Sequence, residues 1–422
     1  MTRILLLSAT TGYQLRSFGE AAARRGIELV FATDRCHRLD DPWRDHAVPV
    51  RFHEPAAAVK AIVAAARERP IHGVLAVGDR PTVLAAEAAR ALGLPGHSPE
   101  GAAASANKRL TRERLSAAGL PTPWFRTLDA GETLETVLGD PACTFPCVLK
   151  PLGLAGSRGV MRANSPEEAV SATARIRALL ARQDVRALRT GMEDTILVEG
   201  YVEGREYALE GVLTTGVLQV FAIFDKPDPL EGPFFEETIY LVPTALEGRT
   251  RERVSAEVER AACALGLAHG PVHAEFRLGA TGLVVLEIAA RPIGGLCAKV
   301  LRFGPDGDSL EDILLQHAAG RDIAHVRREK AAAGVMMIPI PRRGLLKRVE
   351  GVHEAENVPQ IESVHITAKK DQLLEPLPEA GSYLGFIFAR GESVGQVDVA
   401  LRDAHARLRF IIDAPIAIRS SG

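Results

Sequence analysis

Three short apolar runs in the first hundred residues do most to restrict the fold. Arg3–Ser8 (RILLLS), Ile27–Thr33 (IELVFAT) and His72–Val77 (HGVLAV) are rich in Leu, Ile and Val and show no in/out alternation, the pattern of strands buried on both faces. Ala- and Glu-bearing amphipathic stretches lie between them and after the third, the last being PTVLAAEAARALG. Strand–helix alternation of this kind predicts a small parallel sheet with helices on both faces. Such a unit could bind a dinucleotide, but SATTGY after the first strand lacks the G-x-G-x-x-G glycines that permit a tight turn and close phosphate approach. Nicotinamide and flavin are therefore not expected.

The chain is long enough, at 422 residues and 46% hydrophobic, to bury several cores. Its 51 basic and 53 acidic residues give a net charge of -2 without a basic block, so a nucleic-acid partner is not expected. Five cysteines, Cys36, Cys143, Cys147, Cys263 and Cys297, are an odd number, and CTFPC lacks the spacing of a zinc site or redox dithiol. They are expected to be buried free thiols. The run ILLL is too short for a signal peptide, and nothing approaches the roughly 18 apolar residues of a membrane span. A cytoplasmic protein with no membrane partner is the expectation.

A different grammar begins near Ala104. ANKRLTRERLSAAGLPTP reads as a helix ending at Gly119, and in NSPEEAV Ser165 is placed to cap a helix with Pro166 in its first turn. TILVEGYVEGREYALEGVLTTGVLQVFAIFD predicts a strand, a short link and a hairpin turning at Gly216. A helix over Arg251–Leu265 is followed by a second hairpin, GPVHAEFRLGATGLVVLEIAARPIGG. From about Ala331 a third region runs through GVMMIPI and SYLGFIFARG to a helix and a last strand, RFIID. The expected division is 1–103, an α/β unit; 104–330, α+β; and 331–422, α+β.

The chemistry lies in the middle region. In PCVLKPLGLAGSRGV an apolar run ends on Lys150, and Gly153, Gly156 and Gly159 follow, with Ser157 and Arg158 among them. Glycines let backbone N–H groups converge on an anion without Cβ interference. The motif is not a P-loop, because its lysine precedes the loop. Lys150 reads either as a phosphate-binding point charge or as a strand-end side chain lying over apolar surface. Only nine lysines occur in the chain. Lys108 gains meaning from this company alone. VEGYVEGRE places acids at Glu199 and Glu206 around a link at Tyr201 and Val202, either a solvated strand end or a nucleoside site in which backbone and apolar walls take the base and a carboxylate takes the ribose.

The second hairpin is the sharpest feature. Glu275 and Glu287 each terminate an apolar run, where a buried carboxylate needs a partner or a metal. Two carboxylates beside a triphosphate suit Mg2+ (or Mn2+), and Arg291 could fork onto a phosphoryl group. If both acids hold one metal they must share a face. A pairing centred on Thr281 then requires an odd-length loop, for which Ala280-Thr281-Gly282 with Gly282 left-handed fits, or a bulge. His273 shares the face of Glu275 and reads as a hydrogen-bonded structural histidine or a substrate contact.

In this order Lys108, Lys150, the glycine loop, Glu199 to Glu206, Glu275, Glu287 and Arg291 resemble the ATP-grasp carboxylate-amine ligases over about Ala104–Gly320. The resemblance implies an ATP-grasp fold with an N-terminal parallel α/β pre-domain and a C-terminal α+β domain. It assigns Lys108, Lys150 and the loop residues Gly156, Ser157, Arg158 and Gly159 to the phosphates of ATP. It further assigns Glu199, Tyr201 and Val202 to adenine, Glu206 to ribose, and Glu275 and Glu287 to Mg2+. Many relatives read E-x-N after the second acid, but EIAAR puts Ala289 there. That spelling, PFFEETIYLVP and the C-terminal segment are similar to the L-amino-acid ligase subgroup. This implies Glu237, His273, Arg291, Gly294 and Gly295 at the amino-acid substrates, with Lys150 and Arg291 catalytic. A dipeptide-forming reaction through an acyl phosphate, releasing ADP, is the expected activity, with small amino-acid-like partners and a homodimer allowed. A ligase using a different acid, a biotin-carboxylase-like enzyme and a non-catalytic nucleotide-binding module are the alternatives.

Overall fold

The computed structural model describes residues 1–9, 14–34 and 47–414. Most of SATTGY, along with Cys36, lies outside them. The N-terminal unit is a four-stranded parallel sheet in the order Val48–Pro49, Glu28–Thr33, Arg3–Ser8, Gly73–Val77. Its central strand buries Ile4 to Leu7 completely, and helices such as Leu15–Arg25 and Thr82–Leu92 pack beside it, as the alternating pattern requires.

Besides a small antiparallel sheet of Leu373–Leu374, Gly344–Glu350 and Arg409–Asp413, two antiparallel sheets follow. The smaller has the order Phe125–Leu128, Ile196–Gly200, Cys147–Pro151, Met161–Ala163 and carries the glycine loop between its last two strands in that order. The helix Pro166–Leu180 covers it; Ser165 accepts from Glu168 N and Pro166 sits in the first turn. The larger sheet has eight strands: Gly282–Ala289, Gly270–Gly279, Arg205–Thr214, Val217–Asp225, Ile239–Val242, Ala332–Ile338, Gly385–Gly391 and Ile361–Ile366. Strands from beyond residue 331 thus extend the sheet of the middle region. The cluster that includes Ala208, Val212, Phe224, Tyr240, Val335, Met337, Phe386 and Phe388 spans that junction.

The hairpin that carries the acids departs from the expected loop. Gly279 pairs with Gly282, so the turn is the two residues Ala280 and Thr281, and Gly282 has φ 109°. Parity is restored instead by a bulge: Glu275 lies opposite Glu287, whereas Phe276 lies opposite Val285, leaving Leu286 as the extra residue. The shared face is therefore reached by the bulge, the other of the two devices parity allowed. The helix before this hairpin begins at Gly248, three residues earlier than the apolar periodicity indicates. The four described cysteines are free but not all buried. Cys147 and Cys297 are, Cys143 is half-buried and Cys263 is exposed, because Cys263 falls on the outer face of a helix that buries Val258, Ala261, Ala262 and Leu265. Among the described residues no helix is long and apolar enough to cross a membrane.

Candidate active site

One cleft gathers nearly all the candidate residues, with walls from the two antiparallel sheets and a rim from the C-terminal segment. At one end, Lys108 begins the helix Lys108–Ala117, which Asn107 caps through Arg109 N and Leu110 N. Its Nζ donates to Leu154 O at 2.5 Å. Burial lowers its pKa, opposed by the charge of Glu287. Lys150 Nζ lies 2.5 Å from Glu199 Oε1. Glu199 is 2% exposed and takes a fork from Arg112, Nε at 2.9 Å and Nη2 at 3.3 Å. Burial pushes the Glu199 carboxyl up, but Arg112 and Lys150 outweigh it and hold it at about 2. Its carboxylate thus anchors Lys150 while it lines the cleft beside Tyr201 and Val202.

The glycine loop splits in two. Gly156 (φ 65°) and Ser157 (φ 55°) line the cleft. Arg158 and Gly159 do not: Arg158 donates to Glu379 O at 2.8 Å and pairs with Asp184 at 2.6 Å, and Gly159 N donates to Pro378 O at 2.8 Å. A Cβ at Gly159 would stand 2.5 Å from Pro151, so its glycine serves close backbone packing. The resemblance places all four at phosphate; the geometry brings two of them to the cleft.

Tyr201, Val202, Val148, Leu286 and Phe235 form an apolar slot, with Arg277 at 4.9 Å from the Tyr201 ring centre. Glu206 is bound by Arg277 Nε at 2.9 Å and Lys226 Nζ at 2.8 Å. Lys226 also pairs closely with Glu237 and lies 3.4 Å from Glu275. Oxygens of Glu206, Glu237 and Glu275 come within 4.8 Å of one another, and one ammonium serves all three. Burial raises the Glu237 carboxyl to about 7, with repulsion from Glu275 adding to it and Lys226 opposing it. Tyr240 Oη donates to Glu237 at 2.7 Å.

Glu287, across the bulged hairpin from Glu275, makes no hydrogen bond or ion pair among the described residues. A half-buried carboxylate without a hydrogen bond or ion pair, next to a second one and felt only at longer range by Lys108 and Arg291, fits a divalent cation, and Ala289, buried opposite His273, supplies no third ligand. His273 Nδ1 lies 3.2 Å from Glu210 and its Nε2 3.7 Å from Glu275, so it is hydrogen-bonded and at the cleft wall together. Glu210 is fully buried with Oε1 unpartnered, and burial raises its pKa. Arg291 is 9% exposed; its Nε donates to Asp79 at 2.7 Å and its Nη1 to Pro292 O at 3.0 Å. Gly294 and Gly295 complete that end with Ile293, Cys297, Met337, Tyr383 and Phe386.

Comparison with known proteins points to one superfamily. Residues 143–300 match the family description ATP-grasp domain, residues 19–96 the ATP-grasp N-terminal domain and residues 336–413 the L-amino acid ligase C-terminal domain 2. The crystal structure of L-amino acid ligase from Bacillus licheniformis superposes with a TM-score of 0.82 at 26% identity, over 98% of this chain and 99% of that one. The chain carries the N-terminal and central domains of the ATP-grasp superfamily. Within that superfamily its likeness is to the L-amino-acid ligases. An uncharacterized protein of Sinorhizobium fredii is 28% identical over 79% of this chain and 67% of its own length. Alanine–anticapsin ligase of Bacillus subtilis is 26% identical, but the match spans only 55% of this chain and 54% of that protein.

Sequence reading did not select Tyr240 and Arg277, which line the cleft, or Asp79, Arg112 and Lys226, which stand behind it and hold its lining residues. For Lys226 a signal existed, since FAIFDK ends an apolar run on one of nine lysines, as Lys150 does. The arginines offered none, because their partners lie 71 and 87 residues away.

Proposed function

We propose that the protein is an ATP-dependent carboxylate-amine ligase that joins amino acids through an acyl phosphate and releases ADP and phosphate. The arrangement of Glu275 opposite Glu287, with Arg291 and both Lys108 and Lys150 on the same cleft, carries this reading. The apolar slot at Tyr201 and Val202 takes the base of ATP, Glu206 the ribose, and Lys108, Lys150 and Ser157 the phosphates. Glu275 and Glu287 hold the divalent metal, which when bound neutralises phosphate charge.

A carboxylate oxygen of the first substrate attacks the γ-phosphorus, the bond to the β–γ bridging oxygen breaks, and ADP leaves. Arg291 stabilises the charge on the transferred group. The amine of the second substrate then attacks the acyl carbon, and phosphate departs with the oxygen that came from the carboxylate. Glu237, with its raised pKa, is placed to accept the proton the ammonium must lose. The apolar wall of Ile293, Cys297, Met337, Tyr383 and Phe386 favours a substrate with an apolar side chain over bicarbonate, which would leave that wall facing water.

The test is to incubate the protein with ATP, Mg2+ and pairs of amino acids, one carrying 18O in its carboxylate. ADP is expected, with label in the phosphate and a dipeptide by mass spectrometry. AMP as the nucleotide product would refute the mechanism, and ADP without dipeptide would refute the substrates alone.

A further inference from the structure

The segment from Arg291 to Ile293 is held by the N-terminal unit at two points, both beyond the carboxyl ends of parallel strands. Asp79 follows the strand Gly73–Val77 by two residues and accepts from Arg291 Nε at 2.7 Å. Gln14, buried beyond Arg3–Ser8, donates to Ile293 O at 2.6 Å. The turn bearing Asp79 is itself braced, since Thr82 donates to Asp79 O from both N, at 3.2 Å, and Oγ1, at 2.7 Å. With Nε on Asp79 and Nη1 on Pro292 O, the guanidinium keeps one nitrogen, Nη2, with no hydrogen-bond partner among the described residues. A planar fork fixed at two corners can present its third in only one direction.

We propose that Asp79 is a positioning residue that aims Arg291 at the transferred phosphoryl group, so that the N-terminal unit contributes to the reaction without touching substrate. The inference rests on the ligase reading above. It makes the carboxyl ends of the N-terminal strands, where open α/β sheets generally place function, act through an arginine of the neighbouring sheet. Asp79 is more than a third exposed at its side chain, so its truncation leaves no core cavity.

The experiment compares Asp79→Ala and Asp79→Asn with wild type, alone and combined with Arg291→Lys. Asp79→Ala should lower kcat for ADP release about tenfold to a hundredfold, the scale of a misplaced catalytic group, with the KM for ATP within about twofold. Asp79→Asn, which keeps an acceptor without the charge, should fall between. Arg291→Lys should cost much less in the Asp79→Ala background than in wild type. An unchanged kcat, or losses that simply multiply, would overturn the proposal and leave Asp79 as a tie between domains. A parallel readout needs no turnover: the Arg291 Nε–H NMR signal, assigned with Arg291→Lys, should exchange slowly in wild type and rapidly in Asp79→Ala. If wild type consumes no ATP with any acid and amine, the ligase reading fails, and this signal alone decides whether Asp79 fixes Arg291; an unaltered signal overturns the pairing.

Discussion

Replacing Lys150 with Met separates binding chemistry from structure, because Glu199 has two cations and only one of them faces the cleft. The Glu199 carboxyl is held at about 2 against an ordinary 4.5. At about 1.36 kcal/mol per pKa unit, its pairing is worth roughly 3 kcal/mol at neutral pH. Because the folded value is depressed, this stability is present above about pH 4.5 and disappears as pH falls toward 2. In Lys150→Met, Arg112 still forks onto Glu199 at 2.9 and 3.3 Å, so the loss should be about 1–2 kcal/mol, well inside the roughly 5–15 kcal/mol of a folded domain. Arg112→Met instead removes the 1%-exposed partner and leaves a buried carboxylate with one partly exposed ammonium, a change of about 3–5 kcal/mol. Turnover should rank the other way. Lys150→Met loses a donor to developing phosphoryl charge and should drop kcat about 100- to 1000-fold while the protein stays folded. Urea midpoints with ADP-release kinetics on both variants make the comparison. A folded Lys150→Met protein with wild-type kcat, or one as destabilised as Arg112→Met, would show that the lysine only neutralises Glu199.

The raised pKa of Glu237 has the opposite sign: its contribution to stability is present below about pH 4.5 and is lost as pH rises through about 7. Wild type should therefore lose stability relative to Glu237→Gln between pH 5 and pH 8 in urea titrations, and a constant difference would refute the assignment. Glu287→Gln should weaken Mn2+ binding in the presence of ATP at least about tenfold by electron paramagnetic resonance, since one of two carboxylate ligands is removed. Its melting temperature should stay within about 2 °C, because no ion pair is broken; unchanged Mn2+ affinity would remove Glu287 from the metal site.

Sequence made the local features legible and left the long-range ones hidden. Arg3–Ser8 was readable because strands buried on both faces are apolar throughout, and Glu275 and Glu287 stood out because an acid ends each apolar arm. Parity then required a loop of odd length or a bulge, and nothing in GATGLVVLEI chooses between them. Gly282 needs a positive φ in either case, so its glycine does not discriminate. Leu286 is the residue that decides, and an extra leucine in a run of Val and Leu has no signature of its own. Asp79 was invisible for a different reason, since its meaning comes from an arginine 212 residues away that only the packing of the N-terminal unit on the large sheet brings near.

The ion pairs also explain why so many acids line a cleft meant for an anion. Lys150 rests on Glu199, Lys226 on Glu206 and Glu237, Arg277 on Glu206, and Arg291 on Asp79. A cation held by a carboxylate is already desolvated and oriented, so an arriving phosphate meets fixed charge and does not have to reorganise water around a flexible side chain. The same carboxylates would repel that phosphate if they were unpaired. Among the described residues Glu287 is the acid on the cleft without a cation partner, and it sits opposite Glu275, whose nearest ammonium at 3.4 Å is shared with two other acids. A bound cation would balance the charge at that point. A divalent ion arriving with the nucleotide would do so through oxygen ligands, binding both acids and the phosphates at once.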